Sequence, residues 1–151
     1  DLATDANLMA AHHLSVNSFY IDEFLAKEIA YGNITKDRFT TNSKSLLLHG
    51  HCQQKAIGSI ADSVAVLSLP KNYKVETIPS GCCGMAGSFG YEKEHYDVSM
   101  QIGELVLFPK VRSSASGCTV SAPGTSCRHQ IKDGTGEKAL HPVEVLYDAL
   151  V

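Results

Sequence analysis

Apolar and polar positions in this chain fall into a repeated order: a short apolar run, a chemically distinctive residue, then a segment with helical spacing. Ser45-Leu46-Leu47-Leu48-His49, bounded by Gly50, reads as a buried parallel strand. His51-Cys52-Gln53-Gln54-Lys55 leads from it into residues 56–67, a helix stopped before Pro70. Residues 73–78 alternate enough for a second strand, with Val75 and Ile78 apolar and Thr77 β-branched. That strand ends in a glycine- and cysteine-rich loop. Residues 92–108 follow as a helix with Tyr96, Val98, Ile102, Leu105 and Val106 on its apolar face and Pro109 at its end. A third strand over about 117–122 runs into Pro123-Gly124-Thr125-Ser126-Cys127, after which residues 128–132 can start a short helix. His141-Pro142 opens a last helix over 143–151, with proline where its missing N–H costs nothing. Ahead of these, residues 8–31 carry Leu14, Phe19, Ile21, Phe24, Leu25 and Ile29 at near-helical spacing. They predict two short helices, or one broken near Asn17-Ser18, closed by Gly32-Asn33. Strands alternating with helices predict an α/β fold: a Rossmann-like parallel sheet with helices on both faces, joined by right-handed crossovers. Ligands in such a fold lie at the carboxyl ends of the strands.

Composition narrows the function classes. With 151 residues and 44% apolar content, the chain can bury a core as one domain without staples. The 13 Lys and Arg against 16 Asp and Glu contain no basic run, so neither nucleic acid nor an anionic membrane surface is expected as a partner. No apolar run approaches the roughly 20 residues a spanning helix needs, and the first residues lack the basic region and apolar core of a signal peptide. A cytoplasmic location is expected, with a peripheral position at the inner face of the membrane as its variant. Five cysteines, an odd count with two adjacent, argue against a disulfide scaffold and for metal or redox use in a reducing compartment. The start at Asp1 without an initiator Met leads to the expectation of a piece of a longer polypeptide.

The chemistry concentrates in the thiols. Gly81, Gly84, Gly87 and Gly90 stand three apart around Cys82 and Cys83, a loop fit to bring backbone and sulfur close to a ligand. Cys52, the Cys82-Cys83 pair and Cys127 each fall just after a predicted strand, so a parallel sheet would deliver four thiols to one edge. Four thiolates suit zinc in a closed tetrahedral site or an iron–sulfur cluster. The spacing lacks the C-x2-C pairs of zinc knuckles, which puts zinc second. Helix N-termini behind Cys52 and Cys127 should favour the thiolate form. Cys118, inside the third strand, reads as a small buried thiol. His49 and His51 at the strand exit could lend an imidazole to a metal or donate hydrogen bonds to sulfur. Arg128 and His129 could offset the charge of a cluster, or be solvated. His12 and His13 are assigned no role. No G-x-G-x-x-G follows the first strand, and thiol–disulfide exchange by Cys82 and Cys83 is disfavoured because a vicinal disulfide is strained.

Three segments carry a resemblance: residues 49–56 (His-Gly-His-Cys-Gln-Gln-Lys-Ala), residues 81–91 (Gly-Cys-Cys-Gly-Met-Ala-Gly-Ser-Phe-Gly-Tyr), and residues 124–131 (Gly-Thr-Ser-Cys-Arg-His-Gln-Ile) with His141-Pro142. Together they resemble the cysteine-rich CCG domain, and more narrowly the C-terminal part of FAD-linked oxidases of the D-lactate or glycolate dehydrogenase type. Related domains occur in the iron–sulfur subunits of glycolate oxidase, anaerobic glycerol-3-phosphate dehydrogenase and heterodisulfide reductase. The resemblance covers residues 18–151. It implies a domain that takes electrons from a flavin, by way of ferredoxin-type clusters in a preceding domain, and passes them to an acceptor the sequence does not identify. It also implies an iron–sulfur cofactor, 4Fe-4S in type. FAD would lie in another part of the polypeptide, and the FAD-binding and ferredoxin-type domains would be the partners. Residues 1–44 would be the helical tail of a preceding degenerate half and residues 45–151 the CCG-type domain. Carried over by position, Cys52 matches the lone cysteine of the motif, Cys82 and Cys83 its pair, and Cys127 the last cysteine of a terminal C-x-x-C. Gly124 stands where that motif has its first cysteine, which leaves four thiolates for a simpler cluster, a zinc ion or no metal. The alternative is a zinc-binding or metal-free docking module of the same oxidase, and the domain alone is not expected to be catalytic.

Overall fold

In the computed structural model, which describes residues 7–151, four strands form a wholly parallel sheet in the order β2-β1-β3-β4. They are β1 (Lys44–Leu48), β2 (Tyr73–Thr77), β3 (Thr119–Ser121) and β4 (Ala139–Leu140). The helices are α1 (Leu8–Asn17), α2 (Ile21–Ala30), α3 (Cys52–Ile57), α4 (Ile60–Leu67), α5 (Tyr96–Leu105), α6 (Leu107–Arg112), α7 (Thr125–Thr135) and α8 (Pro142–Tyr147). The α/β class with a parallel sheet is as the strand–helix alternation predicts. The central β1 aligns Leu48 with Thr77 on one side and with Ser121 on the other. The chain adds β2 to one edge of β1 and then returns to lay β3 on its other edge. The winding therefore reverses between β1 and β3, which opens a crevice at their carboxyl ends.

Successive strand residues face opposite sides of the sheet, and the two faces have separate cores. Leu47 and Val120 pack with Leu107, Phe108, Val111 and Ile131 on one face. Leu46 and Leu48 pack with Val66, Leu67, Val145 and Leu146 on the other, joined by Leu25, Ala26 and Ile29 of α2. Each such side chain contributes about 1.5–3 kcal/mol by leaving water. Helix α2 is thus part of the body, and its buried Asp22 accepts a hydrogen bond from Ser63 of α4. Helix α1 buries no residue. Residues 1–6, the start of the expected tail over 1–44, lie outside the described residues. Among the described residues no helix is long and apolar enough to cross a membrane.

Several boundaries differ from the expected ones, each for a local reason. Residues 56–67 are not one helix: helix α3 already starts at Cys52, Gly58 ends it, and Ser59 caps α4 by accepting from the Ala61 N–H at 3.0 Å. Pro109 does not end the helix over 92–108. The chain leaves helical geometry at Val106 (φ −145°, ψ −45°) and α6 restarts with Pro109 in its first turn, where an N–H has no intrahelical acceptor to lose. Helix α7 begins at Thr125, three residues earlier than expected, so Cys127 sits in its first turn; Gly136 (φ +79°) ends it. Strand β4 was not anticipated, because two residues are too short to show alternation. The last helix spans Pro142–Tyr147 and stops short of residue 151.

Phe108 is fully buried between Gly103 of α5 and Gly134 of α7, where an added methyl would lie 2.2 Å and 2.3 Å from its ring. In an exposed helix, Gly→Ala would stabilise by about 1 kcal/mol. Here overpacking against a rigid ring, at roughly 1–3 kcal/mol, opposes and outweighs that gain. Gly103→Ala and Gly134→Ala should each lower the urea midpoint, and the double variant should lose less than the sum because both displace the same ring.

Candidate metal centre

The sheet's hydrogen bonding continues one residue past the strand ends and sets the level of the site. The His49 N–H donates to Ser121 O at 2.9 Å, Ile78 N–H to Leu48 O at 2.8 Å, and Ala122 N–H to Leu140 O at 2.9 Å. His49 is thereby directed inward and has no exposed surface. Its Nδ1 is hydrogen bonded to Ser80 Oγ at 2.7 Å. Its Nε2 is buried without a hydrogen-bond partner. A ring nitrogen of His49 and the sulfurs of Cys83 and Cys127, both buried, lie within 4.8 Å of one another.

The cysteine loop is held by contacts from two directions. Lys55 Nζ donates to Ser80 O at 2.6 Å and Gly81 O at 3.3 Å. Beneath the loop, the buried Gln130 of α7 donates to Ser99 O at 3.0 Å and Ser99 Oγ at 2.9 Å. Gly84 (φ +105°) lies against that Ser99 carbonyl, which would be 2.1 Å from an added methyl. Gly87 (φ +74°) uses the left-handed region in open space, and Gly81 has neither a positive φ nor a close neighbour. Of the glycines flanking the thiols, Gly84 is the one fixed by both backbone and packing.

Electrostatics divides the thiols. Cys83 is held well below the ordinary thiol range, first because Cys127 donates its S–H to it, with the His49 ring acting in the same direction against the cost of burial. Cys127 is pushed up by the same hydrogen bond and by burial. Of the buried pair, Cys83 is the one whose thiolate is favoured, because it accepts that hydrogen bond. Cys52 is pushed up, first by burial and then by the neighbouring Cys82. The thiolate assistance expected from the N-termini of α3 and α7 is therefore outweighed at Cys52 and Cys127. A helix end contributes about 0.3–1 kcal/mol, less than desolvating a thiolate costs.

The cysteines predicted to meet do lie at the carboxyl ends of β1, β2 and β3. Cys82 is half-buried and accepts from the Gly84 N–H at 3.3 Å. Cys52, also half-buried, lines a cavity of about 320 Å³ with Cys83, His51 and Gly87. Cys118 precedes β3 and so lies at the sheet's opposite, amino edge, in a cleft with Lys44 and Lys74. His51 caps α3, accepting from the Gln53 N–H at 3.1 Å. Its ring covers Gly124, where an added methyl would lie 2.1 Å from His51 Cδ2 and 3.0 Å from Cys127 Sγ. Arg128 donates to Ala122 O at 3.0 Å and Pro123 O at 2.9 Å, holding the loop that leads to Cys127. His129 pairs with Tyr91 Oη at 2.7 Å on the surface. The crevice between β1 and β3 holds a second cavity of about 190 Å³, bordered by Asp22, His51, Gln54, Gly124 and His141. Sequence reading missed Ser80, Lys55, Ser99 and Gln130. Their contacts span 25 to 31 residues, and no local pattern announces them.

Two buried thiols and an imidazole at the carboxyl edge of a parallel α/β body could hold a metal ion, and the proteins this chain is similar to in sequence are dehydrogenases. The chain is 32% identical over 113 residues to the D-2-hydroxyglutarate dehydrogenase of Escherichia coli (strain K12), covering 74% of this chain and 11% of that protein. It is 30% identical over 105 residues to one subunit of the anaerobic glycerol-3-phosphate dehydrogenase of the same organism, covering 70% of this chain and 26% of that protein. A D-2-hydroxyglutarate dehydrogenase of Pseudomonas putida is 37% identical over 73 residues, 48% of this chain and 7% of that protein. The chain thus spans only 7% to 26% of the length of these oxidoreductases. No family model and no solved structure matches it.

Two outcomes are expected. Gly84→Ala should combine backbone strain of about 1–2 kcal/mol with a backbone clash, whereas Gly87→Ala should show the strain alone. Urea titration of the two variants checks this, with the larger loss at Gly84. Because Cys83 is shifted down, metal-free protein should keep a thiolate ultraviolet absorbance as pH falls below the ordinary thiol range. Acid titration should show that component absent from Cys83→Ser.

Proposed function

We propose that this chain is the electron-transfer domain of a flavin-dependent 2-hydroxyacid dehydrogenase, with an iron–sulfur centre at the edge where Cys52, Cys82, Cys83 and Cys127 meet. The observation that carries this reading is the convergence of thiols from three separate loops, two of them buried beside an imidazole. Thiolates are the donors that soft iron–sulfur centres take. The relatives add a second argument. The same segment is similar to dehydrogenases named for two different substrates, so what it shares with both is better read as handling electrons than as recognising a substrate.

The residues fit a bound cluster, 4Fe-4S in type. When bound, it supplies one-electron transfer. The hydrogen bond from Cys127 favours the thiolate at Cys83, and a bound metal would displace the proton between them. Lys55 and the N-terminus of α7 place positive charge beside the loops, while His51 and Gly124 bring ring and backbone close to Cys127. On this reading FAD and ferredoxin-type clusters belong to partner domains, and residues 1–44 are the tail of a preceding half whose α2 packs onto the domain formed by residues 45–151. A nitrogen among the donors also suits zinc, which would make the domain a docking module.

Anaerobic preparation followed by iron, sulfide and zinc analysis separates these readings. Iron and sulfide are expected, with loss of most of the metal in Cys52→Ser, Cys82→Ser, Cys83→Ser and Cys127→Ser but not in Cys118→Ser. Stoichiometric zinc without sulfide would overturn the electron-transfer reading. Metal loss in Cys118→Ser as complete as in Cys127→Ser would overturn the ligand set.

A further inference from the structure

We propose that His49 is itself a metal ligand through Nε2, so that the centre is a mixed nitrogen and sulfur site. This rests on the metal-centre reading above and adds a donor to it. Three observations converge on the same atom. First, His49 is fully buried, yet Nε2 has no hydrogen-bond partner. A ring nitrogen sealed from water and left unpaired is costly, and such groups in folded proteins are ordinarily satisfied by protein, water or an ion. Second, the other nitrogen is committed. Nδ1 lies 2.7 Å from Ser80 Oγ, and Lys55 holds the Ser80 carbonyl in turn. A ring whose Nδ1–H donates to a hydroxyl presents the Nε2 lone pair in a fixed direction, which is the support a ligating histidine ordinarily has. Third, two sulfurs stand beside the ring. A His49 ring nitrogen, Cys83 Sγ and Cys127 Sγ lie within 4.8 Å of one another, and with Nδ1 engaged by Ser80 the nitrogen left to share a metal with them is Nε2. Donors about a tetrahedral ion with bonds of about 2.0–2.3 Å stand roughly 3.3–3.8 Å apart, so small side-chain adjustments at the two thiols suffice.

The three donors are an inner set. Cys52 and Cys82 are half-buried, and Cys52 and Cys83 face a cavity of about 320 Å³. These three residues would hold the inner side of the centre, with Cys52 and Cys82 left to hold its outer side. A neutral imidazole makes the centre less negative than a thiolate at the same position would and raises its reduction potential. A purely structural histidine, accepting S–H from one of the cysteines, would have the same burial but no bond to metal.

The experiment uses the chain labelled with 15N-histidine and reconstituted anaerobically with ferrous iron and sulfide, read by pulsed paramagnetic resonance of the reduced centre. The expected result is a directly coupled histidine nitrogen in the wild-type chain, kept in His51→Gln and lost in His49→Gln. The wild-type and His51→Gln spectra decide the matter even if His49→Gln fails to fold. A formed centre without such coupling would overturn the histidine ligand and leave the electron-transfer reading standing. Coupling that disappears in His51→Gln would also overturn it, by assigning the nitrogen to the other ring. Failure of the wild-type chain to form any centre would overturn both. Where His49→Cys retains a centre, its midpoint potential should shift down from wild type, and an unchanged potential would count against the assignment.

Discussion

Everything chemical in this molecule depends on one strand being hydrogen bonded on both sides. The five residues of β1 pair in parallel with β2 and β3, and their registers end level, Leu48 opposite both Thr77 and Ser121. Level ends mean that three unrelated loops leave the sheet at one height. The ladder's extension through His49, Ile78 and Ala122 then fixes the first residue of each loop. A one-residue slip of β1 would turn His49 to the other face and exchange the two cores, so the hydrophobic alternation that stabilises the body also aims the imidazole.

The site is assembled against electrostatic resistance. Two sulfurs in the interior resist being charged together, and the hydrogen bond between them lowers Cys83 while it raises Cys127. The loop around them adopts φ values of +105° at Gly84, +40° at Ala86 and +74° at Gly87, and it is kept in place by Lys55 on one side and by Ser99 and Gln130 beneath. A scaffold that holds donors together before metal arrives gains affinity from that preorganisation, and the bound metal would return stability to the fold.

What could be read from the sequence was whatever is repeated or local. The apolar runs at 45–49, 73–78 and 117–122 located three strands, their alternation with helices gave the parallel topology, and the cysteines following them fell at the same edge. Helix boundaries were harder. Gly58 and Ser59 form a stop and a restart inside an apolar pattern that reads as continuous, and Pro109 opens a turn where proline ordinarily marks an end. The two histidines of His-Gly-His differ by burial alone, and burial is decided by β3 arriving beside β1. Ser80 and Gln130 were illegible for a similar reason: a hydroxyl and an amide acquire their meaning from partners 31 residues away. The charge states of Cys52 and Cys127 went against expectation because helix position is visible in sequence, whereas desolvation is a property of the folded interior.

The strand order has a consequence for the growing chain. Since β3 occupies the edge of β1 opposite β2, a nascent polypeptide that has laid down β1 and β2 still has the third side of its donor cluster missing until Cys127 has emerged and β3 has docked. During that interval Cys52, Cys82 and Cys83 are loop thiols without their covering neighbour, open to oxidant and to stray ions. Closure of the β1–β3 seam is then the moment at which all three loops first stand together and Cys127 covers its neighbours.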